Sequence, residues 1–271
     1  MARTRVPGII TSLQNPTVKL VRSLASRKGR KDTELFAVEG ATMLATARDC
    51  GWTPQILFAE EAAAKSGIVR ELVDWALDAG AQCNLVSDNV LAAMSAMDNP
   101  QKVIGVFSER WLGESGISRH SHDVWVALET IRDPGNLGTI IRTVDASGAQ
   151  GVILVGDCCD PYAREAVRAT MGSIFRVPIA ALDHQAFIQL LKAWPGEAVG
   201  THLSAKDDFR ADYRGPTLLV MGSEGDGLSD ALAQACARLV KIPMRGHVDS
   251  LNLSVATAIV LYEVRRSQLR L

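Results

Sequence analysis

The sequence predicts an α/β fold built in two parts. Short apolar runs alternate with helical patterns along all 271 residues, as sheets flanked by helices require. A polar stretch over 108–123, rich in Ser, Gly, His and charge, interrupts the alternation and divides it into two series. The second series has near-continuous apolar strands, the pattern of a sheet covered on both faces.

In the first series Asn15-Pro16 reads as an N-cap followed by a first-turn proline, with Val18, Val21 and Leu24 at helical spacing behind them. Leu35–Val38 reads as a strand, Ala41–Cys50 as a helix closed by Gly51, and Gln55–Ala59 as a strand. Glu61–Ala79 reads as a helix closed by Gly80, and strands follow at Cys83–Val86 and Val103–Phe107. In the second series strands are expected at Val124–Leu128, Val152–Val155, Leu218–Met221 and Leu239–Ile242. Helices are expected at Asn136–Ala146, Tyr162–Met171, Phe187–Ala193 and from Ser250 to about Arg266. The domains are then 1–107 and 124–271, with 108–123 as a linker.

A composition with 47% hydrophobic residues and a net charge of −1, from 29 Lys+Arg against 30 Asp+Glu, excludes collagen-like, disordered, mucin-like and disulfide-framework classes. No run approaches the ~18 apolar residues of a membrane span. Met1–Leu13 makes a poor signal peptide, because its short apolar patch holds Pro7 and Gly8. Cys50, Cys83, Cys158, Cys159 and Cys236 form no C-x-x-C pair and read as reduced thiols of a cytoplasmic protein.

The near-zero net charge conceals an asymmetry. Residues 1–31 hold Arg3, Arg5, Lys19, Arg22, Arg27, Lys28, Arg30 and Lys31 and no acid, a local charge of +8 that leaves −9 for the other 240 residues. Such a segment is a candidate footprint for a polyanion, and its plain alternative is a solvated helix face. The closing Arg265, Arg266 and Arg270 are accounted for by the dipole at the end of the last helix.

Several common motifs are missing. No G-x-G-x-x-G follows a strand, so a dinucleotide site lacks its fingerprint. Gly222 and Gly227 have the outer spacing of a P-loop, but Leu228 and Ser229 stand where Lys-Ser/Thr is needed. H-E-x-x-H and G-x-S-x-G are absent, and His120-Ser-His122 in the polar stretch is a poor metal site, so no metal is expected.

Three polar segments remain, each just beyond an expected strand. In Asp133-Pro-Gly-Asn-Leu-Gly-Thr-Ile-Ile-Arg142-Thr, Asn136 is positioned to cap a helix that carries Arg142 nearly two turns on. In Leu218-Leu-Val-Met-Gly-Ser-Glu-Gly-Asp-Gly-Leu-Ser229 a buried strand runs into a glycine-dense loop holding Glu224, where backbone can approach a ligand closely. In the third, Ser250, Asn252 and Ser254 interleave with Leu251, Leu253 and Val255 at the mouth of an apolar helix. Capping explains one of these polar residues and leaves the others to contact something else.

Together the segments resemble the SpoU/TrmH family of RNA ribose 2′-O-methyltransferases of the SPOUT class. The match is N-x-G-x-x-x-R-T, then G-S-E-G-x-G, then I-P-M followed by S-L-N-L-S-V-A, and it spans 124–266. The first half resembles, more loosely, the small α/β RNA-binding domain with a ribosomal-protein fold that many members place before the catalytic one. The resemblance implies a parallel sheet with a deep trefoil knot, a homodimer, and S-adenosylmethionine bound in the knot. Ribosomal RNA is the implied substrate; transfer RNA, or an RNA-binding member without activity, is the alternative.

By the same resemblance Arg142 is the central catalytic residue, with Asn136, Glu224, Ser250 and Asn252 around it. Gly222, Ile242 and Leu251 carry over as cofactor positions held through main chain, and Thr201, near the end of the apolar run Ala198–Leu203, is placed for an adenosine contact. A guanidinium stays charged up to a pKa above about 12, so Arg142 suits phosphate binding and alkoxide stabilisation better than the role of base. The proton acceptor is then that phosphate, Glu224 or water. Lys19, Arg22, Arg27, Lys28, Arg30 and Lys31 become candidate RNA contacts, and the five Trp include candidate base-stacking partners, most of them expected in cores.

Overall fold

Asn15 caps α1 (Pro16–Ser23): its Oδ1 accepts from the Thr17 amide at 2.9 Å and the Thr17 hydroxyl at 2.7 Å. The helix stops sooner than an uninterrupted basic helix would, and Ser26 caps a second one, α2 (Arg27–Thr33). The turn is so close that a Cβ on Gly29 would lie 2.1 Å from the Ser23 carbonyl oxygen, so only glycine fits there. The computed structural model describes residues 8–269. The expectations resting on Arg3, Arg5 and Arg270 therefore lie outside the described residues.

The chain forms two units, Met1–Glu109 with Tyr162–Phe175 and Arg110–Pro161 with Arg176–Leu271. In the first, β1 (Leu35–Glu39), α3 (Ala41–Asp49), β2 (Ile56–Glu60), α4 (Gly67–Asp78), β3 (Gln82–Val86), α5 (Asp88–Met94) and β4 (Val103–Ser108) follow α2. The sheet order is β1-β4-β2-β3, antiparallel except for the parallel β2–β3 pair. Val18 and Val21 of α1 and Leu24 just past its end bury against Ile104 and Val106 of β4 and Val90 and Leu91 of α5. The helix expected over 61–79 is split, because Gly67 takes φ +65° and breaks it into a 3-10 turn at Ala63–Lys65 and α4. Helix α5 carries no strong periodic signal and was not expected.

The second unit holds β5 (Val124–Glu129), α6 (Pro134–Ser147) and β6 (Gly151–Val155). Helix α7 (Arg164–Ala169), shorter than the expected Tyr162–Met171, belongs instead to the first unit, where Tyr162 packs on Phe36 at 4.6 Å and Trp52 Nε1 donates to the Phe175 carbonyl at 2.9 Å. The second unit resumes with β7 (Ile179–Leu182), α8 (His184–Lys192), β8 (Glu197–Thr201), β9 (Asp207–Asp208), β10 (Thr217–Met221), α9 (Asp230–Ala235), β11 (Arg238–Lys241) and α10 (Leu253–Arg265). Its sheet runs β7-β6-β5-β10-β8-β11-β9 and is parallel throughout.

Trp125, Ala127, Ile153, Val155, Leu218 and Val220 meet Phe187 and Leu190 of α8 and Leu232 of α9. The intervening Val126, Leu128, Val152, Leu154, Leu219 and Met221 are equally buried, as a sheet covered on both faces demands. Helices α6 and α10 pack on each other, and α10 reaches β10. The expected linker is irregular but not free: Leu112 bridges Ala180, Ile117 is buried, and Trp125 Nε1 donates to Ser118 O at 3.0 Å. Arg265 serves the end of α6 rather than its own helix, donating to Ser147 O at 3.0 Å and His122 O at 3.2 Å.

Candidate active site at the carboxyl edge of the parallel sheet

Four neighbouring strands, β5, β10, β8 and β11, end at one edge, where parallel sheets bind ligands. From β5 the chain turns into α6, from β10 into the Gly222–Gly227 loop, and from β11 into the 242–252 stretch before α10. The three polar segments thus arrive side by side although up to 116 positions separate their bonded residues.

The helix α6 is capped by Asp133, whose Oδ1 accepts from the Asn136 amide at 2.6 Å. Asn136 is therefore not the cap, and its side chain is available for other contacts. Asn252 caps α10, its Oδ1 accepting from the Ser254 amide at 2.9 Å, the Val255 amide at 3.4 Å and the Ser254 hydroxyl at 2.6 Å. With that oxygen occupied, Asn252 Nδ2 donates to Asn136 Oδ1 at 3.0 Å, and Asn136 Nδ2 donates onward to Glu224 Oε1 at 3.3 Å. The relay has one direction, from the mouth of α10 through α6 to the glycine loop. Glu224 also accepts from the amides of Arg132 at 3.4 Å and Asp133 at 3.5 Å.

Sequence reasoning missed Glu129, the last residue of β5. Its carboxylate is 3% exposed, accepts from the Ser229 amide at 2.8 Å and pairs with His184 Nε2 at 3.1 Å. A buried carboxylate needs such partners. Glu224 reaches from the β10 loop to amides beyond β5, and Glu129 reaches from β5 to the amide that ends the β10 loop, a reciprocal clasp that fixes the loop at two points. The only sequence signal was an acid closing an otherwise apolar strand.

The loop folds on itself, with Ser223 N donating to Gly227 O at 2.9 Å; a Cβ on Gly222 would lie 2.0 Å from the Gly227 carbonyl carbon. It walls a cavity of about 550 Å³ that is lined by Thr201, Gly222, Ile242 and Leu251 and also by Glu224, Ser250 and Asn252. Neither Asn136 nor Arg142, nor any other residue of the first segment, is among the lining residues. At about 100° and 1.5 Å per residue Arg142 stands roughly 120° round α6 from Asn136 and about 9 Å further along it. It is exposed and, among the described residues, its side chain makes no hydrogen bond or ion pair. Near Glu224 and Asp133, burial pushes the Cys159 thiol up to about 12, with Cys158 and those two carboxylates adding to the shift, so it is neutral and no nucleophile at ordinary pH.

In the first unit, Lys19, Arg22, Arg27, Lys28 and Lys31 are exposed. Arg30 corrects the expectation: it is 4% exposed and its guanidinium donates to Leu24 O at 2.8 Å and Ala25 O at 3.3 Å, closing the carbonyl end of α1. Trp52, Trp125 and Trp194 are buried, and Trp75 is half-buried; Trp111 is exposed.

A parallel sheet with an amide relay, a glycine loop and a ligand-sized cavity at its carboxyl edge defines an α/β enzyme that binds its ligands there. Residues 123–262 match the SpoU rRNA Methylase family, more than half of the chain, and the chain belongs to that family. Residues 15–105 match the MRM3-like substrate binding domain. An AdoMet-bound rRNA methyltransferase from Sinorhizobium meliloti is 40% identical, with a TM-score of 0.90 over 97% of this chain and 99% of that one. The AdoMet complex of the SpoU methyltransferase AviRb from Streptomyces viridochromogenes is 28% identical, with a TM-score of 0.85 over 94% and 98%. RlmP of Bacillus subtilis, a 23S rRNA (guanosine(2553)-2′-O)-methyltransferase, is 28% identical over 94% of this chain and 98% of that protein. The family resemblance read from the three motifs therefore stands.

Proposed function

We propose that the chain transfers a methyl group from S-adenosylmethionine to a ribose 2′-hydroxyl of ribosomal RNA. The observation that carries this reading is that two of the motif segments line one cavity and the Asn252–Asn136–Glu224 relay ties the third to them. The cavity fits the cofactor chemically. Met221, Val240, Ile242 and Leu251 supply apolar walls for a nucleoside, and Glu224, Asp226 and Asp249 outnumber Lys241 among its charged lining, which suits a sulfonium cation.

The cofactor supplies a methyl already activated by positive sulfur, so the protein has to position the hydroxyl and help it lose its proton. Asn136 and Asn252 orient the ribose. Arg142, charged and uncommitted, binds the adjacent phosphate and stabilises the developing alkoxide, while Ser250 holds phosphate or Arg142. The proton leaves to phosphate, Glu224 or water. Thr201 contacts adenosine, and Gly222, Ile242 and Leu251 hold the cofactor through main chain.

Residues 1–107 act as the RNA-binding domain, with Lys19, Arg22, Arg27, Lys28 and Lys31 as its phosphate contacts. We also assign a homodimer through the catalytic unit, supported by Val255 and Tyr262, 46% and 45% exposed and seven residues apart on α10. The out-of-sequence strand order β5-β10-β8-β11 suits a trefoil knot in that unit. Among the described residues no helix is long and apolar enough to cross a membrane; the cytoplasmic location is assigned from the ribosomal RNA substrate.

The test is transfer of labelled methyl groups to unmodified total RNA, with rRNA and tRNA separated and the product digested to nucleosides. Label in a 2′-O-methylated nucleoside of rRNA is expected. Label on a base refutes the ribose assignment, and label confined to tRNA refutes the substrate class.

A further inference from the structure

The first unit has a cavity of its own, about 430 Å³, that no motif and no catalytic role accounts for. Its size is that of a pocket for one small organic group. Three methionines, Met43, Met94 and Met97, line it, from α3, the end of α5 and the loop beyond. Methionine gives a soft, polarisable surface that favours the edge or face of an aromatic ring.

Arg164 and Arg168 of α7 also line the cavity. Arg164 donates from its two terminal nitrogens to Met94 O at 2.7 Å and Val21 O at 2.9 Å, while its Nε is buried with no hydrogen-bond partner. Burial pulls its pKa down; Glu39 opposes that and Arg30 adds to it. Glu39 does not neutralise the wall freely, because its carboxylate already accepts from Ser95 Oγ and from the amides of Ala96 and Gln101. Arg164 is thus taken up by the fold, and the exposed Arg168 beside an apolar floor suits an aromatic ring next to a phosphate. The exposed Glu165 on the same wall offers an acceptor for ring N–H groups.

Ala25 places this cavity in the basic segment, since it lines the pocket from the turn joining α1 to α2, three residues after Arg22 and two before Arg27. We infer that the cavity receives one unstacked nucleotide of single-stranded RNA, its base among the three methionines and its phosphate at Arg168. This rests on the RNA-methyltransferase reading and deepens it. Selective RNA recognition works mostly through splayed-out bases, and phosphate contacts alone give position without selectivity.

The experiment fills the pocket with Met97→Trp, and separately with Ala25→Phe at its exposed rim, and measures binding to an unmethylated 23S rRNA transcript across a salt series. Circular dichroism melts and cofactor calorimetry check that each variant is folded. The expected result is about tenfold weaker binding at every salt concentration with a log–log salt slope changed by no more than about 0.7, because a base contact and at most the one phosphate at Arg168 are lost. Affinity within twofold of wild type in folded variants overturns the pocket. A parallel reversal of Arg22, Arg27, Lys28 and Lys31 to Glu separates the two readings. If that reversal weakens binding and pocket filling does not, only the pocket fails; if neither does, the RNA-binding reading of this unit fails as well.

Discussion

The first unit's sheet mixes antiparallel and parallel pairs and carries exposed cations on two short helices, whereas the second unit's sheet is parallel throughout and gathers uncharged amides and glycines at one edge. Recognition of a polyanion needs dispersed charge that water and salt can screen. Methyl transfer needs groups fixed to fractions of an ångström, which here come from a directional relay and a doubly tethered loop. The comparison predicts that damage to the two units separates: one set of changes alters RNA affinity and its salt dependence, the other alters the rate.

The largest effect is expected at Arg142. Arg142→Ala should lower methyl transfer by roughly 10²–10³-fold, the loss seen when a transition-state donor is removed, with cofactor affinity by calorimetry within twofold of wild type. Turnover near the wild-type rate would remove Arg142 from the chemistry. Asn136→Ala cuts the relay in the middle, and a positional error there should cost between about tenfold and 10²-fold in the single-turnover rate. An unchanged rate would reduce the relay to packing.

In the first unit, reversing Arg22, Arg27, Lys28 and Lys31 should move the log–log salt slope of RNA binding from roughly −3, for four phosphate contacts on a single strand, toward zero. Cofactor affinity should not change; a slope that stays put returns the segment to a solvated helix face. The smallest effects concern stability. Glu129→Ala leaves the Ser229 amide unpaired and should cost about 1–3 kcal/mol by denaturant titration. Arg30→Ala should cost about 1 kcal/mol and leave RNA affinity alone, unlike its exposed neighbours. A loss of RNA affinity with unchanged stability would mean that Arg30 meets RNA after all.

The same contrast governs what the sequence made legible. The relay residues were readable because each sits in a short motif at a strand end, and local order carries the pattern. What periodicity could not supply was pairing. Asn136 reads as a cap until Asp133 takes that role. Glu129 was hidden because a terminal acid on a strand is ordinary until Ser229, 100 positions later, is found against it. In the first unit, Arg30 was indistinguishable from the cations beside it, since burial comes from the tight turn at Gly29 and not from composition. Elements with little internal periodicity, such as α5, β7 and α9, were missed for the same reason: tertiary packing rather than propensity holds them. The segment Tyr162–Phe175 was assigned by sequence order to the second part, yet its aromatic side chains and α7 belong to the first unit.

The most direct test of the separation is the single-turnover rate of methyl transfer by the charge-reversed variant at saturating unmethylated rRNA. The account predicts that the rate returns to the wild-type value once RNA is saturating, with only the half-saturating concentration raised. A rate that stays depressed at saturation would contradict it, because the basic segment would then take part in the chemistry and not only in holding the substrate.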